Sequence, residues 1–193
     1  MKRLLIRCLG FIKNKQGLTT IGKGVVTLLV LALLSYPSYK AYDKIKLNKL
    51  IKESINGEAY AQIKLGVRYV NGNGLEQNDY KAFNLFEKAA NQGVAKAQFN
   101  IGRMYYQGKG TSKNNDRALY WIRKAAEQES KDAQFILGAW YFQGEVVDKD
   151  FEKGSFYINR AIKNGSIQAK EYDARMKKIA TTLNEISENL NED

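Results

Sequence analysis

A period of 36 residues runs through the chain after residue 56 and constrains the fold more than any other feature. The same residue types return at this interval in four series: Ala61, Ala97, Ala133 and Ala169; Gln62, Gln98 and Gln134; Gly66, Gly102 and Gly138; Tyr69, Tyr105 and Tyr141. A fixed period of this length is the signature of stacked repeats, in which each unit contacts its neighbours. Three units therefore span 57–92, 93–128 and 129–164, and a fourth begins after them.

Each unit has the pattern of two antiparallel helices. In the first unit, apolar and small residues follow helical spacing over about 58–71 and again over about 79–91. Gly72 suits the left-handed conformation that ends helices, and Asn78 or Asp79 suits the cap that begins them. We call the first helix of each unit helix A and the second helix B. The pattern predicts an all-α fold built from helix pairs.

The first unit contains the string A-x-A-Q-x-x-L-G-x-x-Y-x-x-G-x-G at 59–74 and K-A-A-x-x-G at 88–93. These strings resemble the Sel-1-like repeat family, a relative of the tetratricopeptide repeats, over roughly residues 57–169. The third unit departs from the pattern, with Val146 in place of the second loop glycine and Gly154 in place of a helix-B alanine. The resemblance implies a right-handed α/α solenoid that binds other proteins, with helix A on its concave surface.

The composition excludes several classes of catalytic and metal site. The chain has no histidine and one cysteine, Cys8. Ser/His/Asp and Cys/His catalysis, histidine-bound zinc and cysteine metal cages all need more than this. Asp148, Asp150 and Glu152 cluster before a helix, where carboxylates favour the helix dipole. We therefore expect no enzyme, cofactor, metal or small-molecule substrate, with a hydrolase as the weaker alternative.

The net charge of +11 lies mainly outside the repeats. Residues 1–56 contain 11 Lys and Arg against two acidic residues, whereas residues 57–193 contain 20 against 18. A nucleic-acid-binding domain carries its basic stripe on the folded part, whereas basic residues beside an apolar segment meet anionic lipid. The distribution predicts contact with a membrane and no nucleic acid.

Residues 24–39 form a run of 16 uncharged residues between Lys23 and Lys40. As a helix the run spans about 24 Å, and both lysines can extend to the membrane surface. We predict a transmembrane anchor here, between a basic cytoplasmic tail (1–23) and an amphipathic connecting helix (40–56). Moving the basic tail outward against the membrane potential is costly, which favours a single-pass inner-membrane protein with its repeats in the periplasm. A cleaved signal peptide is the alternative, although no small-x-small cleavage site follows the run.

Residues 165–193 begin like a fourth helix A and then continue with an apolar stripe. Its members are spaced by four and three: Tyr172, Met176, Ile179, Leu183, Ile186 and Leu190. The open end of a solenoid needs a cover, so we predict a partial fourth repeat and a C-terminal capping helix. The same spacing also permits a short coiled coil.

Residues that fail to repeat indicate where a partner docks. They lie on one helical face of helix A: Tyr60, Lys64 and Arg68 in the first unit; Asn100, Arg103, Met104 and Gln107 in the second; Ile136, Trp140 and Gln143 in the third. We call these ten residues the helix-A stripe. Tyr, Trp, Met and Arg are enriched where proteins meet. We therefore predict that the stripe holds another protein. The chain then acts either as an immunity or inhibitor protein against a secreted, envelope-active toxin, or as an assembly adaptor of a pilus or secretion machine.

Overall fold

The computed structural model describes residues 41–190, with side chains through residue 187. The chain divides into two units, residues 1–47 and 48–193. Every helix or strand in the described part is an α-helix: α1 (residues 41–55), α2 (Ala59–Asn71), α3 (Asp79–Asn91), α4 (Ala95–Gln107), α5 (Asn115–Glu127), α6 (Lys131–Gln143), α7 (Phe151–Lys163) and α8 (Ile167–Leu190). Helices α2, α4 and α6 are the A helices, and α3, α5 and α7 are the B helices. The expected all-α repeat solenoid is confirmed.

The loop between helices A and B is set by two short-range devices. Each A helix ends at a glycine with a φ near +70°, which other residues rarely adopt: Gly72, Gly108 and Gly144. Each B helix is capped by a side-chain oxygen that accepts a 2.9 Å hydrogen bond from the backbone N–H three residues later: Asn78, Asn114 and Asp150. The chain therefore reverses direction at the same point in every unit.

Small residues let the two helices of a unit approach closely. A Cβ atom at Gly102 would lie 2.8 Å from Ile122 Cγ1, and one at Gly66 would lie 2.7 Å from the Phe86 ring. About half of the buried hydrophobic residues are alanines, and the rest are larger side chains such as Ile101, Ile122 and Leu137. Because the helices pack this tightly, larger residues at the repeated glycines would force them apart.

A buried glutamine links each unit to the helix before it. Gln98 Nε2 donates to Ala90 O at 3.5 Å, while its Oε1 accepts a 2.8 Å hydrogen bond from Gln128. Gln62 and Gln134 make the corresponding bonds, with Ser54 and Ala126 supplying the carbonyls. Buried amides are costly unless bonded on both sides, so this arrangement stabilises the stacking of units.

The C-terminal helix α8 packs on the third unit only through its first turns. Ser166 Oγ accepts from the Ala169 N–H at 3.2 Å, and both residues are buried. The Tyr172 ring lies 5.9 Å from the rings of Phe135 and Phe142. Residues 174–187 are all exposed, which corrects the expectation of a capping helix along this length. The helix projects past the end of α7 and therefore does not lie across it.

The predicted transmembrane anchor at 24–39 and the basic tail at 1–23 lie outside the described residues. Within residues 41–190, no helix is both long enough and apolar enough to span a membrane.

Candidate functional site

The A helices bring eight of the ten helix-A stripe residues to a surface position. Five are exposed: Tyr60, Lys64, Arg103, Gln107 and Gln143. Three are half-buried: Arg68, Asn100 and Ile136. The remaining two, Met104 and Trp140, are buried. The stripe is thus mostly polar and cationic where it meets solvent.

The placement of Met104 and Trp140 corrects the prediction that they contact a partner. Their side chains are 5% and 4% exposed and belong to the core. The Trp140 ring lies 5.3 Å from the ring of Tyr106, on the A helix of the preceding unit. Trp140 therefore packs between two units, a contact that the residue pattern of a single helix does not reveal. Arg68 occupies the same position in the first unit and stays half-exposed.

The exposed part of the helix-A stripe offers cations and an aromatic side chain. The Tyr60 side chain is 69% exposed. The Arg103 guanidinium lies over the Phe99 ring at 5.6 Å, a contact that orients the charge. Asn100 adds an enclosed amide nitrogen that has no hydrogen-bond partner among the described residues. This surface suits a protein with acidic and aromatic side chains.

A tyrosine beside the stripe links neighbouring units. The Tyr106 hydroxyl donates a 2.8 Å hydrogen bond to Glu145 Oε1 in the loop of the next unit. This bond raises the pKa of Tyr106, because the ionised phenol would face the carboxylate. Lys113 Nζ lies over the same ring at 5.3 Å. The contacts fix one edge of the stripe across two units.

The B helices carry a second surface that the sequence pattern did not reveal. Tyr120 and Phe156 lie 36 residues apart, are 50% and 55% exposed, and each packs edge-on against the next aromatic residue, Trp121 or Tyr157. A cation covers each ring: Lys124 lies 4.7 Å from the Tyr120 ring, and Arg160 lies 5.8 Å from the Phe156 ring. We call these six residues the helix-B aromatic surface. The first unit has Asn84 and Leu85 at the aromatic positions, a non-repeating difference that could have identified the surface from sequence.

The acidic cluster before α7 has a structural role at its centre. Asp150 Oδ1 accepts from the Lys153 N–H, and Lys153 Nζ lies 2.9 Å from Asp150 Oδ2. These bonds lower the pKa of Asp150, so its carboxylate stays ionised as a helix cap. Among the described residues, no group of three or more His, Cys, Asp or Glu side chains is arranged to hold a metal ion.

A loop residue departs from the repeat at a left-handed position. Glu129 has a φ of 60°, where the matching positions of other units carry Gly57, Gly93 and Gly165. Its carboxylate forms an ion pair with Arg160 and accepts hydrogen bonds from Asn164 and Gln134. These donors, Arg160 first, lower the pKa of Glu129 to about 2. The interactions hold a residue with a Cβ in a conformation that otherwise favours glycine.

Comparison with known proteins agrees with this architecture. A family model described as the Sel1 repeat matches residues 59–94, 95–130 and 131–166, units that begin two residues after the boundaries expected from sequence. A Sel1 repeat protein from Oxalobacter formigenes is 35% identical, with a TM-score of 0.59 over 66% of this chain and 96% of that one. A protective antigen with an SLR fold from uropathogenic Escherichia coli is 31% identical, with a TM-score of 0.61.

That alignment covers 64% of this chain and 26% of the antigen, so the present chain matches about a quarter of the antigen's length. Cysteine rich protein B of Helicobacter pylori shares the fold at 23% identity, with a TM-score of 0.53 over 69% of this chain and 96% of that protein. A search of curated protein sequences finds no match.

Proposed function

Because the chain belongs to the Sel1 repeat family, we propose that it is a non-catalytic scaffold that holds a partner protein on the helix-A stripe. The observation that carries the proposal is a contrast between core and surface. Buried Ala61, Gln62 and Gly66 return with the same residue type in every unit. By contrast, the position of exposed Tyr60 carries Lys96 and then Asp132, and the position of Arg103 carries Val67 and Ala139 in the other two units. A repeated framework with a varied surface is how solenoids build extended binding faces.

Arg103 is the residue through which the proposal is best tested. It is exposed at the middle of the three units, and its charge is oriented by Phe99. The full chain, carrying an affinity tag, is cross-linked in cells, and captured proteins are identified by mass spectrometry. Lys163→Glu is the charge-matched control, because Lys163 is an exposed cation at the end of α7. A partner captured by the wild type and by Lys163→Glu, but lost with Arg103→Glu, supports docking on the stripe. Equal capture by all three chains would contradict it.

The helix-B aromatic surface is the second candidate for the docking face. Exposed Tyr120 and Phe156 with their paired cations resemble the aromatic and arginine anchors of protein interfaces. Tyr120→Ser in the same capture experiment separates the two faces. Loss of the partner with Tyr120→Ser but not with Arg103→Glu would assign docking to the B helices.

The identity of the captured protein decides between the two biological roles. A secreted toxin that acts on the cell envelope would make the chain an immunity or inhibitor protein. A component of a pilus or secretion machine would make it an assembly adaptor. In the first case, deleting the gene sensitises cells to the toxin; in the second, it impairs assembly of the machine.

The proposal includes an anchor at residues 24–39 in the inner membrane, with the repeats in the periplasm. The support is the uncharged run between Lys23 and Lys40 and the basic tail before it. The full chain should remain in the membrane fraction after carbonate extraction, and externally added protease should digest the repeats in spheroplasts. Recovery in the carbonate-soluble fraction contradicts the anchor, and protection from protease contradicts the orientation.

A further inference from the structure

The projecting part of α8 carries an apolar stripe that no other described residue covers. Met176, Ile179, Leu183 and Ile186 are between 42% and 60% exposed. They alternate by three and four residues, the a/d spacing with which helices pack side by side. A helix that projects alone into water gains little stability, and an apolar stripe of this kind marks a contact surface.

The charge along α8 is distributed unevenly. Residues 170–178 contain four basic and two acidic residues, whereas residues 179–190 contain two acidic residues, Glu185 and Glu188, and no basic one. Two such helices placed in parallel would set like charges side by side. Placed antiparallel, the basic half of each would lie along the acidic half of the other, which favours their association.

The apolar stripe is also symmetrical about Thr181. Ile179 and Leu183 lie two residues on either side of it, and Met176 and Ile186 lie five residues on either side. An antiparallel pair centred on Thr181 therefore sets Ile179 against Leu183 and Met176 against Ile186, twice each.

From the exposed stripe, its symmetry and its complementary charge, we propose that α8 pairs antiparallel with α8 of a second copy of this chain. The occupant is another copy because the segment is complementary to itself in both shape and charge. Pairing covers the four apolar side chains without moving α8 from the third unit. The repeats of the two copies are then held at opposite ends of the helix pair.

Cysteine cross-linking in the full chain tests the orientation. Cys8→Ser removes the natural thiol, and Met176→Cys or Ile186→Cys is added to differently tagged chains. In the proposed register the two cysteines of a mixed pair face each other, whereas two copies of residue 176 lie about 15 Å apart along the helix. A disulfide needs Cα atoms within about 7 Å. Oxidation of the mixture should therefore yield cross-linked heterodimers and few homodimers.

Sedimentation of the full chain in a mild nonionic detergent tests the pairing independently. The wild type should have a protein mass twice the 21.9 kDa of one chain. Leu183→Asp should be monomeric with unchanged helicity by circular dichroism, since Leu183 is exposed in the single chain. Thr181→Asp, on the opposite face, should remain a dimer. A monomeric wild type would overturn the proposal, whether the apolar stripe of α8 is left uncovered or is bound by another protein. Disulfide-linked homodimers of the Met176→Cys chain would also overturn it.

Discussion

Asn164 donates a 2.7 Å hydrogen bond from its side-chain amide to the carboxylate of Glu129, joining the end of α7 to the loop before α6. In the first two units the position of Asn164 is held by Gln92 and Gln128, which reach the buried glutamine directly. Asn164 also reaches it, at 2.9 Å from Gln134 Oε1, while Glu129 fills the adjoining space. The third unit therefore keeps the two-residue contact and adds to it an ionic group of Glu129 and Arg160.

The stability contributed by Glu129 should depend on pH. Its pKa falls from 4.5 to about 2 in the folded chain, so the folded state binds its proton less readily than the unfolded state. The contribution is therefore complete above about pH 4.5 and is lost as the pH falls towards 2. Urea unfolding of the wild type and of Glu129→Gln, from pH 7 downward, checks this. The difference in unfolding free energy between the two should shrink over that window; a constant difference contradicts it.

The left-handed backbone at Glu129 predicts a ranking of two substitutions. Glu129→Ala keeps a Cβ at a φ of 60° and removes every side-chain hydrogen bond, whereas Glu129→Gly removes the same bonds and relieves the backbone. The alanine variant should therefore melt at a lower temperature than the glycine variant. Thermal unfolding at pH 7 measures both. If alanine is the more stable of the two, the backbone at this loop is not strained.

Trp140 and Arg103 should separate folding from binding, although sequence reasoning placed both on one docking surface. Trp140→Ala removes a core side chain between units and should cost about 3–5 kcal/mol of unfolding free energy. Arg103→Glu should leave unfolding unchanged because Arg103 is exposed, and should weaken partner binding by about 2 kcal/mol. Urea unfolding and titration with the captured partner measure the two effects. A destabilised Arg103→Glu chain would show that its charge supports the fold.

Two loop glycines at the same repeat position should tolerate alanine differently. A Cβ at Gly110 would lie 2.3 Å from Asp79 O of the preceding unit, whereas one at Gly74 meets only the flexible Arg68 side chain at 3.4 Å. Both have a φ above +60°, so backbone strain is similar. Gly110→Ala should therefore cost roughly 1–3 kcal/mol more than Gly74→Ala. If the two variants lose the same unfolding free energy in urea, the loop that contains Gly110 can move away from α3.

The helix pairs and their limits were predictable from sequence because glycine stops and side-chain caps act over a few residues. Gly72 and Asn78 lie where the pattern predicts, and the small residues at 66, 102 and 138 mark the close helix approach. Contacts between units were less predictable. The spacing along one helix placed Trp140 on the surface, because it does not include the packing of Trp140 against Tyr106 on the neighbouring A helix.

The sequence pattern also did not predict the direction that α8 takes relative to the third unit. Alternation by three and four residues indicates that the helix has an apolar side, and it does not say which surface covers that side. Ser166 and Ala169 anchor the first turn, whereas residues 174–187 of the same helix are exposed. The helix-B aromatic surface was not predicted because helical spacing alone does not show that Tyr120 and Phe156 face solvent.

The position of Glu129 determines which 36-residue segment can be duplicated without losing the ion pair between Glu129 and Arg160. A duplicated cassette of residues 129–164 carries Glu129 together with Arg160 and Asn164, so the new copy keeps its own ionic group. A cassette cut at 131–166 instead places the new Arg160 and Asn164 opposite Gly165, which has no carboxylate. Duplication of residues 129–164 therefore lengthens the protein and keeps the contacts between units. Duplication of residues 131–166 instead leaves Arg160 without a carboxylate partner at each new contact between units.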